Sequence, residues 1–151
     1  GNHECYGDAD ENAQALRAGG VQVLRDAVAV VADQVVVVGR DDDMHADRPS
    51  LAALLKDVRR DLPVLVLDHR PTEIMENVQT PMDIQFSGHT HNGQVFPANF
   101  IVRALYRLHY GHEAIDGKEI FVSSGYGFWG VPLRLGSRSE MLIVDVTGRA
   151  D

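Results

Sequence analysis

The sequence is poor in cysteine, in positive charge and in long apolar runs. Cys5 is the one cysteine among 151 residues, which excludes an internal disulfide. There are 14 basic side chains against 22 acidic ones, and the formal net charge of -8 disfavours nucleic acid and anionic membrane surfaces as partners. The best candidate for a membrane span, residues 27–38, is interrupted by Asp33 and Gln34 and falls short of the roughly 20 residues needed. We therefore expect no nucleic-acid partner and no membrane contact from this segment itself.

Helical and strand-like segments alternate along a chain whose length suits one domain. Amphipathic spacing and capping residues predict helices over residues 8–19, 49–60 and 100–108, with about two further turns after Pro71. Apolar and β-branched runs predict strands, separated by a hairpin turn at Asp33-Gln34, over residues 21–24, 27–31, 35–38, 64–67, 83–86, 119–123 and 141–146. This order predicts an α/β fold with a mixed sheet or two packed sheets.

Two histidines one residue apart follow the predicted strand 83–86, within the run SGHTHNGQ of residues 87–94. If that strand continues, His89 and His91 point to the same face, about 6.5 to 7 Å apart along the chain. Ions in two-metal sites lie about 3.5 to 4 Å apart, so each imidazole could reach a different ion. Isolated pairs of this kind are mostly incidental, and the metal interpretation therefore needs support from other residues.

Further donor residues provide that support. His69 follows the buried-type strand 64–67, and Asn2 and His3 add an amide oxygen and another imidazole. In open α/β sheets, functional groups collect at the carboxyl ends of strands, where His69 and His89 both fall. The sequence therefore predicts a metal site at this edge of the sheet.

Three short motifs carry a family resemblance. The runs GNHE at 1–4, LDH at 67–69 and GHTH at 88–91, in this order and at these separations, resemble the last three of five signature blocks of the calcineurin-like metallophosphoesterases. Residues 88–97 and the run SGYGFWG at 124–130 are similar to a bacterial branch whose members often follow N-terminal transmembrane or export segments. The resemblance implies a layered sandwich of mixed β-sheets flanked by helices. Residues 1–151 would be the C-terminal portion of such a domain, incomplete at the N-terminus.

The resemblance also implies a role for each matching side chain. Asn2, His69 and His89 would bind one ion and His91 the other, the ions being manganese, iron or zinc. His3 would neutralise charge on the phosphoryl group and assist departure of the leaving oxygen. Such sites hydrolyse phosphomonoesters or phosphodiesters by attack of a metal-activated hydroxide.

Two carboxylate-bearing blocks of the family, Asp-x-His and Gly-Asp-x-x-Asp, would precede Gly1 and are absent from the sequence. The remaining donors are neutral, so nothing offsets the charge of two divalent ions about 4 Å apart, and we expect one ion or none in this chain alone. The run Asp41–Asp43 and the residues Asp8 and Asp10 occur in the wrong order to substitute. We interpret them as a solvated turn and a helix cap.

Several other residues have plain alternatives. Trp129 and Phe128 could line a substrate mouth, although packing on the core is the commoner use of such aromatics. Arg134 could contact a phosphate bidentately or pair with an acidic neighbour. Cys5 is expected to be a small buried residue.

The sequence thus predicts a metal-dependent phosphoesterase that acts on a phosphate-ester small molecule or a lipid-linked phosphate. The alternative is a catalytically inactive fragment that binds a metal ion or a partner. An exposed apolar sheet edge would be covered by an upstream N-terminal segment or by a second copy. The branch resemblance points to membrane or cell-envelope association of the complete protein, and a cytoplasmic location stays open.

Overall fold

The computed structural model describes residues 1–147, and residues 148–151 of the single predicted domain lie outside the described residues. The helices are α1 Ala9–Ala18, α2 Leu51–Leu54, α3 Ile74–Asn77 and α4 Ala98–Leu105, with single 3-10 turns at Glu4–Tyr6 and His91–Gly93. The strands are β1 Ala27–Val31, β2 Val35–Gly39, β3 Val64–Leu67, β4 Ile84–Ser87, β5 Gly111–Ile115 and β6 Lys118–Val122. Within this range no helix has the length and apolarity needed to cross a membrane.

The strands form one mixed sheet in the order β1-β2-β3-β4-β6-β5. The four central strands β2, β3, β4 and β6 run parallel, and the edge strands β1 and β5 pair antiparallel with their neighbours. Together with the flanking helices this is an α/β sandwich, so the predicted fold class is confirmed. The predicted hairpin is also present, because β1 and β2 are joined through left-handed residues at Ala32 and Asp33.

One face of the sheet packs against α2 and α3. Strand residues that alternate along the chain are fully buried there, and they form one apolar cluster with helix and loop side chains: Val36, Val38, Val64, Val66, Ile120, Leu51, Leu55, Ile74 and Met82. Burying each such side chain stabilises the fold by about 1.5–3 kcal/mol. This face is therefore the core of the described residues.

The opposite face of the sheet lies open in the described part of the chain. Val37, Leu67 and Phe86 line a depression of about 540 Å³ there, with Leu24 beside them. Leu67 is 46% exposed, although parallel strands are usually covered on both faces. The edge strand β1 also exposes apolar side chains.

The helix predicted over 49–60 is much shorter in the structure. Ser50 caps α2 by accepting from the Ala53 N–H, but the helix ends at Leu54. The Leu55 carbonyl accepts from the Val58 N–H and from the Arg60 side chain, so it forms a tight turn instead of continuing the helix. The helix predicted after Pro71 is likewise a single turn, α3.

Two predicted strands are absent and one strand was missed. Residues 21–24 and 141–146 form no strand, and Ile143 is 91% exposed. A strand requires a hydrogen-bonded neighbour, which apolar composition alone cannot supply. The missed strand β5 reaches β6 through Asp116-Gly117, both with positive φ, and this dipeptide is a hairpin signal that was available in the sequence.

Candidate metal centre

Three predicted ligands come together beside the ends of β3 and β4. Asn2 Oδ1 lies 2.9 Å from His69 Nε2 and 3.3 Å from His89 Nδ1, and the two ring nitrogens are 3.3 Å apart. The two imidazoles meet edge-on, with ring centroids 5.1 Å apart. We call Asn2, His69 and His89 the imidazole–amide cluster.

Parallel strands place the two histidines of this cluster. β3 ends at Leu67 and β4 at Ser87, so His69 and His89 each follow a strand by two residues at the same edge of the sheet. The Gly88 N–H donates to the His69 carbonyl over 2.9 Å and ties the two loops together. The carboxyl ends of adjacent parallel strands thus bring together side chains that are 20 residues apart in sequence.

A buried ion pair supports the backbone next to His69. Arg48 donates to both carboxylate oxygens of Asp68 over 3.1 Å. Arg40 lies 3.8 Å from Asp68 and is fully buried, and its Nε and Nη1 have no hydrogen-bond partner among the described residues. Burial raises the pKa of Asp68 against the lowering effect of these two guanidinium groups. The loop that carries His69 is therefore fixed from inside the protein.

Asn2 enters the cluster from the first turn of the described chain. It is 6% exposed, and its carbonyl accepts from the Cys5 N–H over 3.1 Å at the start of the first 3-10 turn. Cys5 itself is only half-buried, with Sγ 3.6 Å from His45 Nε2, so the expectation of a buried cysteine is wrong. The thiol lies at the surface because the turn directs Asn2, and not Cys5, inward.

Both clustered imidazoles are neutral near pH 7. Burial, followed by the positive charges of the Gly1 amino group and His89, lowers the pKa of His69 from 6.5 to about 4. Burial, followed by the charge of Arg70, lowers the pKa of His89. A neutral imidazole keeps a lone pair that a metal ion can accept.

The spacing of the three donor atoms suits one divalent ion. Donors about 2.1 Å from an ion lie about 3.0 Å apart at adjacent octahedral corners and about 3.4 Å apart in a tetrahedron. The observed separations are 2.9 and 3.3 Å. Over residues 1–147 no group of three or more His, Cys, Asp or Glu side chains could hold an ion. The third donor of the cluster is an amide oxygen, which hard divalent ions accept.

His91 makes a different set of contacts. The strand assumed for the HTH run is wrong, because β4 ends at Ser87 and His91 opens a 3-10 turn. Its Nδ1 lies 3.1 Å from Arg134 Nη2. A guanidinium can only donate, so Nδ1 can take part in a hydrogen bond with Arg134 only as the acceptor. Burial, then Arg134 and then His3 lower the pKa of His91. His91 can ligate an ion only if the contact with Arg134 changes.

Arg134 holds the loop of residues 124–137 together. Its Nη2 donates to the carbonyls of Ser124 and Gly125 at 2.8 and 3.1 Å, its Nε donates to that of Gly127 at 3.0 Å, and its Nη1 donates to Ser137 Oγ at 2.9 Å. No acidic partner of Arg134 is found in the described range, so the ion-pair alternative is wrong. The phosphate-binding role of Arg134 stays a prediction.

A buried carboxylate next to the cluster was missed in the sequence. Asp42 is 2% exposed and pairs with Arg70 over 3.1 Å, so the interpretation of Asp41–Asp43 as a solvated turn is wrong for this residue. The run follows β2, whose carboxyl end lies beside that of β3. Asp42 therefore lies, like His69, just after the carboxyl end of a parallel strand, where functional groups collect. Arg70, which Asp43 also contacts at 3.0 Å, is a cation beside the imidazoles that sequence reasoning did not find.

A cavity of about 450 Å³ opens directly onto the cluster. His3, His91 and Arg70 line this cavity, together with apolar residues of α4 and Trp129. Trp129 is 58% and Phe128 59% exposed, so the expected core packing of these aromatics is wrong. The predicted ligands and the predicted phosphate-contacting His3 thus border one opening.

The fold and the site together define a class: a mixed α/β sheet that gathers imidazole and amide donors at the carboxyl ends of parallel strands, beside an open cavity. Such an arrangement is typical of sites that bind a metal ion and a small ligand.

Known proteins with similar sequences agree with this class. The chain is 30% identical over 154 positions to an uncharacterized metallophosphoesterase of Campylobacter jejuni, with 99% of the chain and 41% of that protein aligned. It is 32% identical over 161 positions to an uncharacterized metallophosphoesterase of Aquifex aeolicus, with 100% of the chain and 60% of that protein aligned. A transmembrane protein with metallophosphoesterase domain from Bos taurus is 29% identical over 160 positions, with 93% of the chain and 36% of that protein aligned.

The chain is similar over nearly its whole length to proteins named metallophosphoesterase, and this similarity supports the calcineurin-like metallophosphoesterase family. It spans about 41% and 60% of the length of the two bacterial relatives. No family model matches the chain. No solved structure matches it either. The names of the relatives imply divalent metal cofactors in general for this family.

Proposed function

We propose that the complete protein is a metal-dependent phosphoesterase that hydrolyses phosphomonoesters or phosphodiesters, and that this chain supplies one half of its metal site. One observation carries the proposal: Asn2, His69 and His89 bring three neutral donor atoms within 3.3 Å of each other at the mouth of a cavity. Neutral imidazoles and an amide oxygen in this spacing suit a divalent ion such as manganese, iron or zinc. We further propose two ions in the complete protein, with His91 serving the second.

When bound, such ions acidify a water molecule for attack and stabilise charge on the phosphoryl oxygens. The residues of this chain contribute binding and orientation. Arg70 and His3 border the cavity and offer guanidinium and ring N–H groups to the phosphoryl group. His3 is exposed and lines the cavity, as a residue that assists a leaving oxygen must.

A second function, binding of one ion or of a partner without catalysis, is supported by the charge of the donors. The three donors of the imidazole–amide cluster are neutral, and the nearby carboxylates Asp42 and Asp43 pair with Arg70. Nothing in this donor set offsets a second divalent charge. Catalysis therefore depends on carboxylates from elsewhere in the complete protein.

We also propose membrane or envelope association for the complete protein. The support is the name of the Bos taurus relative and of a similar protein of Danio rerio, each a transmembrane protein with metallophosphoesterase domain. Separation of membrane and soluble fractions after expression of the full-length gene tests this point. Recovery in the soluble fraction alone would contradict it.

The catalytic proposal is tested on the purified full-length protein by metal analysis and by hydrolysis of p-nitrophenyl phosphate and its bis ester. His89→Ala should lower kcat/KM by at least about 100-fold and reduce the bound metal, because one of three donors is lost. The matched control is His112→Ala, since His112 is exposed on β5 and pairs with Glu119 away from the site. Metal binding without hydrolysis of either ester would favour the non-catalytic function.

A further inference from the structure

The helix α4 presents an apolar stripe to the cavity and not to the core. Ala98, Ile101, Val102 and Leu105 follow the i, i+3, i+4, i+7 spacing of one helical face, and all four line the cavity beside the imidazole–amide cluster. Ile101 is 60% and Leu105 71% exposed. A stripe with this spacing normally packs on a core, so in the described residues it lacks the covering that its composition requires.

The cavity is lined by two chemically different groups of side chains. One group is the clustered imidazoles with Arg70, and the other is the aliphatic stripe of α4. Tyr106, which follows α4, meets the His89 ring edge-on with centroids 6.2 Å apart, so the two groups adjoin. A volume of about 450 Å³ is that of a small-molecule site.

Two polar side chains of the lining, Gln94 and Thr90, are already hydrogen-bonded within the protein. Gln94 Nε2 donates to the Trp129 and Val131 carbonyls, and its Oε1 accepts from the Trp129 N–H. The Thr90 hydroxyl donates to the His109 carbonyl. Neither side chain is available to pair with the edge of a nucleobase, and a buried base without such partners binds weakly.

From this geometry we infer that the site takes amphiphilic phosphate esters, with the phosphate at the imidazoles and an alkyl or acyl chain along the stripe of α4. The inference rests on the proposed function, because it assumes that the phosphoryl group binds at the imidazole–amide cluster. Such a site would bind lipid-like phosphates in preference to nucleotides. The affinity should increase with the length of the alkyl chain, since it grows with the apolar area that leaves water.

The test uses the metal-loaded full-length protein and monomeric n-alkyl phosphonates, which cannot be hydrolysed, in calorimetric titrations. Affinity should rise by up to about fourfold for each added methylene and level off once the stripe is covered. Ile101→Gln should flatten this rise, because it removes apolar area from the stripe. Phe100→Gln is the matched control, because Phe100 is equally 60% exposed on the same helix but does not line the cavity.

The outcomes separate this inference from the proposed function. Affinity independent of chain length, tighter binding of adenosine 5′-monophosphate than of octylphosphonate, or binding of octanol as tight as that of octylphosphonate would each overturn the inference. Absence of hydrolysis with any ester, combined with chain-length-dependent phosphonate binding that Ile101→Gln abolishes, would overturn the catalytic function and leave the amphiphile site standing.

Discussion

At the scale of single residues, the loop that carries His89 and His91 has an unusual backbone. φ is 67° at His89, 50° at His91 and Asn92, and 48° at Gln94, and none of these residues is glycine. A left-handed angle costs a residue with a side chain roughly 1–2 kcal/mol. The hydrogen bonds of Gln94 with the backbone of Trp129 offset part of this strain. Strain held at residues that carry chemistry is typical of functional sites.

Gly93 is the residue in this loop whose lack of a side chain is required. Its φ is 79°, and an added Cβ would lie 2.2 Å from the Asn99 nitrogen. We expect Gly93→Ala to lower the free energy of unfolding by about 3 kcal/mol or more, because a backbone atom cannot move aside as a side chain can. Chemical denaturation followed by circular dichroism measures this loss.

Gly111→Ala is the matched control for that substitution. Gly111 also has a positive φ, of 96°, but nothing lies within 4 Å of an added Cβ. It therefore bears the cost of the backbone angle without the close contact, and the expected loss is about 1–2 kcal/mol. Equal losses for the two variants would show that the contact with Asn99 is unimportant.

Arg134 allows a prediction about the loop that it crosses. A lysine keeps the charge but cannot reach the carbonyls of Ser124, Gly125 and Gly127 from one planar group. We expect Arg134→Lys to speed amide hydrogen exchange over residues 124–137 roughly tenfold, which corresponds to about 1.4 kcal/mol of local stability. Arg59→Lys, in an exposed pair with Asp61, should leave this exchange unchanged. Unchanged exchange in both variants would refute the role of Arg134 as a clamp.

At the scale of elements, the sequence predicts best those strands that lie in the centre of the sheet. The strand β3 matches its predicted span, and β4 agrees to within one residue at each end, because central strands are short continuous apolar runs. The helix over 49–60 fails because the Leu55 carbonyl forms a local turn with Val58 and Arg60, and the strand over 141–146 fails because it has no neighbouring strand among the described residues. Apolar composition cannot report those partners.

The same limit applies to the candidate site. Functional groups collect at the carboxyl ends of parallel strands, which predicts that His69 and His89 lie at the same edge of the sheet, and the structure agrees. No periodicity connects Asn2 with residues 67 and 87 positions later, so its place in the cluster rested on its type as an oxygen donor and on the family resemblance. Asp42 was missed because a run of three acidic residues resembles a solvated turn until its partner Arg70 is known.

Glu140 anchors the chain after residue 136 to the end of β6, and this contact depends on pH. Burial by itself raises the pKa of Glu140, but the Ser124 N–H and the hydroxyls of Tyr110 and Ser123 donate to the carboxylate and hold its pKa below the usual 4.5. The folded state thus binds the proton less tightly than the unfolded chain. The stabilisation is complete above about pH 4.5 and is lost as pH falls through the folded pKa.

Glu140→Gln should therefore lower the free energy of unfolding by about 1 kcal/mol at pH 7 and by less as the pH falls below 4.5. Denaturant titrations at a series of pH values measure the difference between variant and parent. Glu76→Gln is the control, because Glu76 is exposed on α3 and should change stability by less than about 0.5 kcal/mol. A deficit at Glu140 that does not change with pH would contradict the assignment to its ionised form.

At the scale of the whole molecule, the open face of the sheet requires a covering layer. Val37, Leu67 and Phe86 line the depression on this face, and Arg40 borders it. Two buried nitrogens of Arg40 have no hydrogen-bond partner among residues 1–147, although they lie 3.7 and 3.8 Å from carboxylate oxygens of Asp26 and Asp68. Apolar area and orphaned donors are both costly when they face water or a void. A layer that brings apolar side chains and a hydrogen-bond acceptor would satisfy both. The upstream segment or a second copy of the chain are the two proposed sources.

We expect the 151-residue chain, expressed alone, to associate with itself through this face. Sedimentation velocity over a range of concentrations should show species larger than the monomer. Leu67→Asp should shift the population toward monomer, because a carboxylate would have to be buried in the new interface. Met75→Asp is the matched control, since Met75 on α3 is 45% exposed against 46% for Leu67 but lies away from the open face. A folded parent chain that stays monomeric at every concentration would refute self-association and leave the upstream segment as the proposed cover.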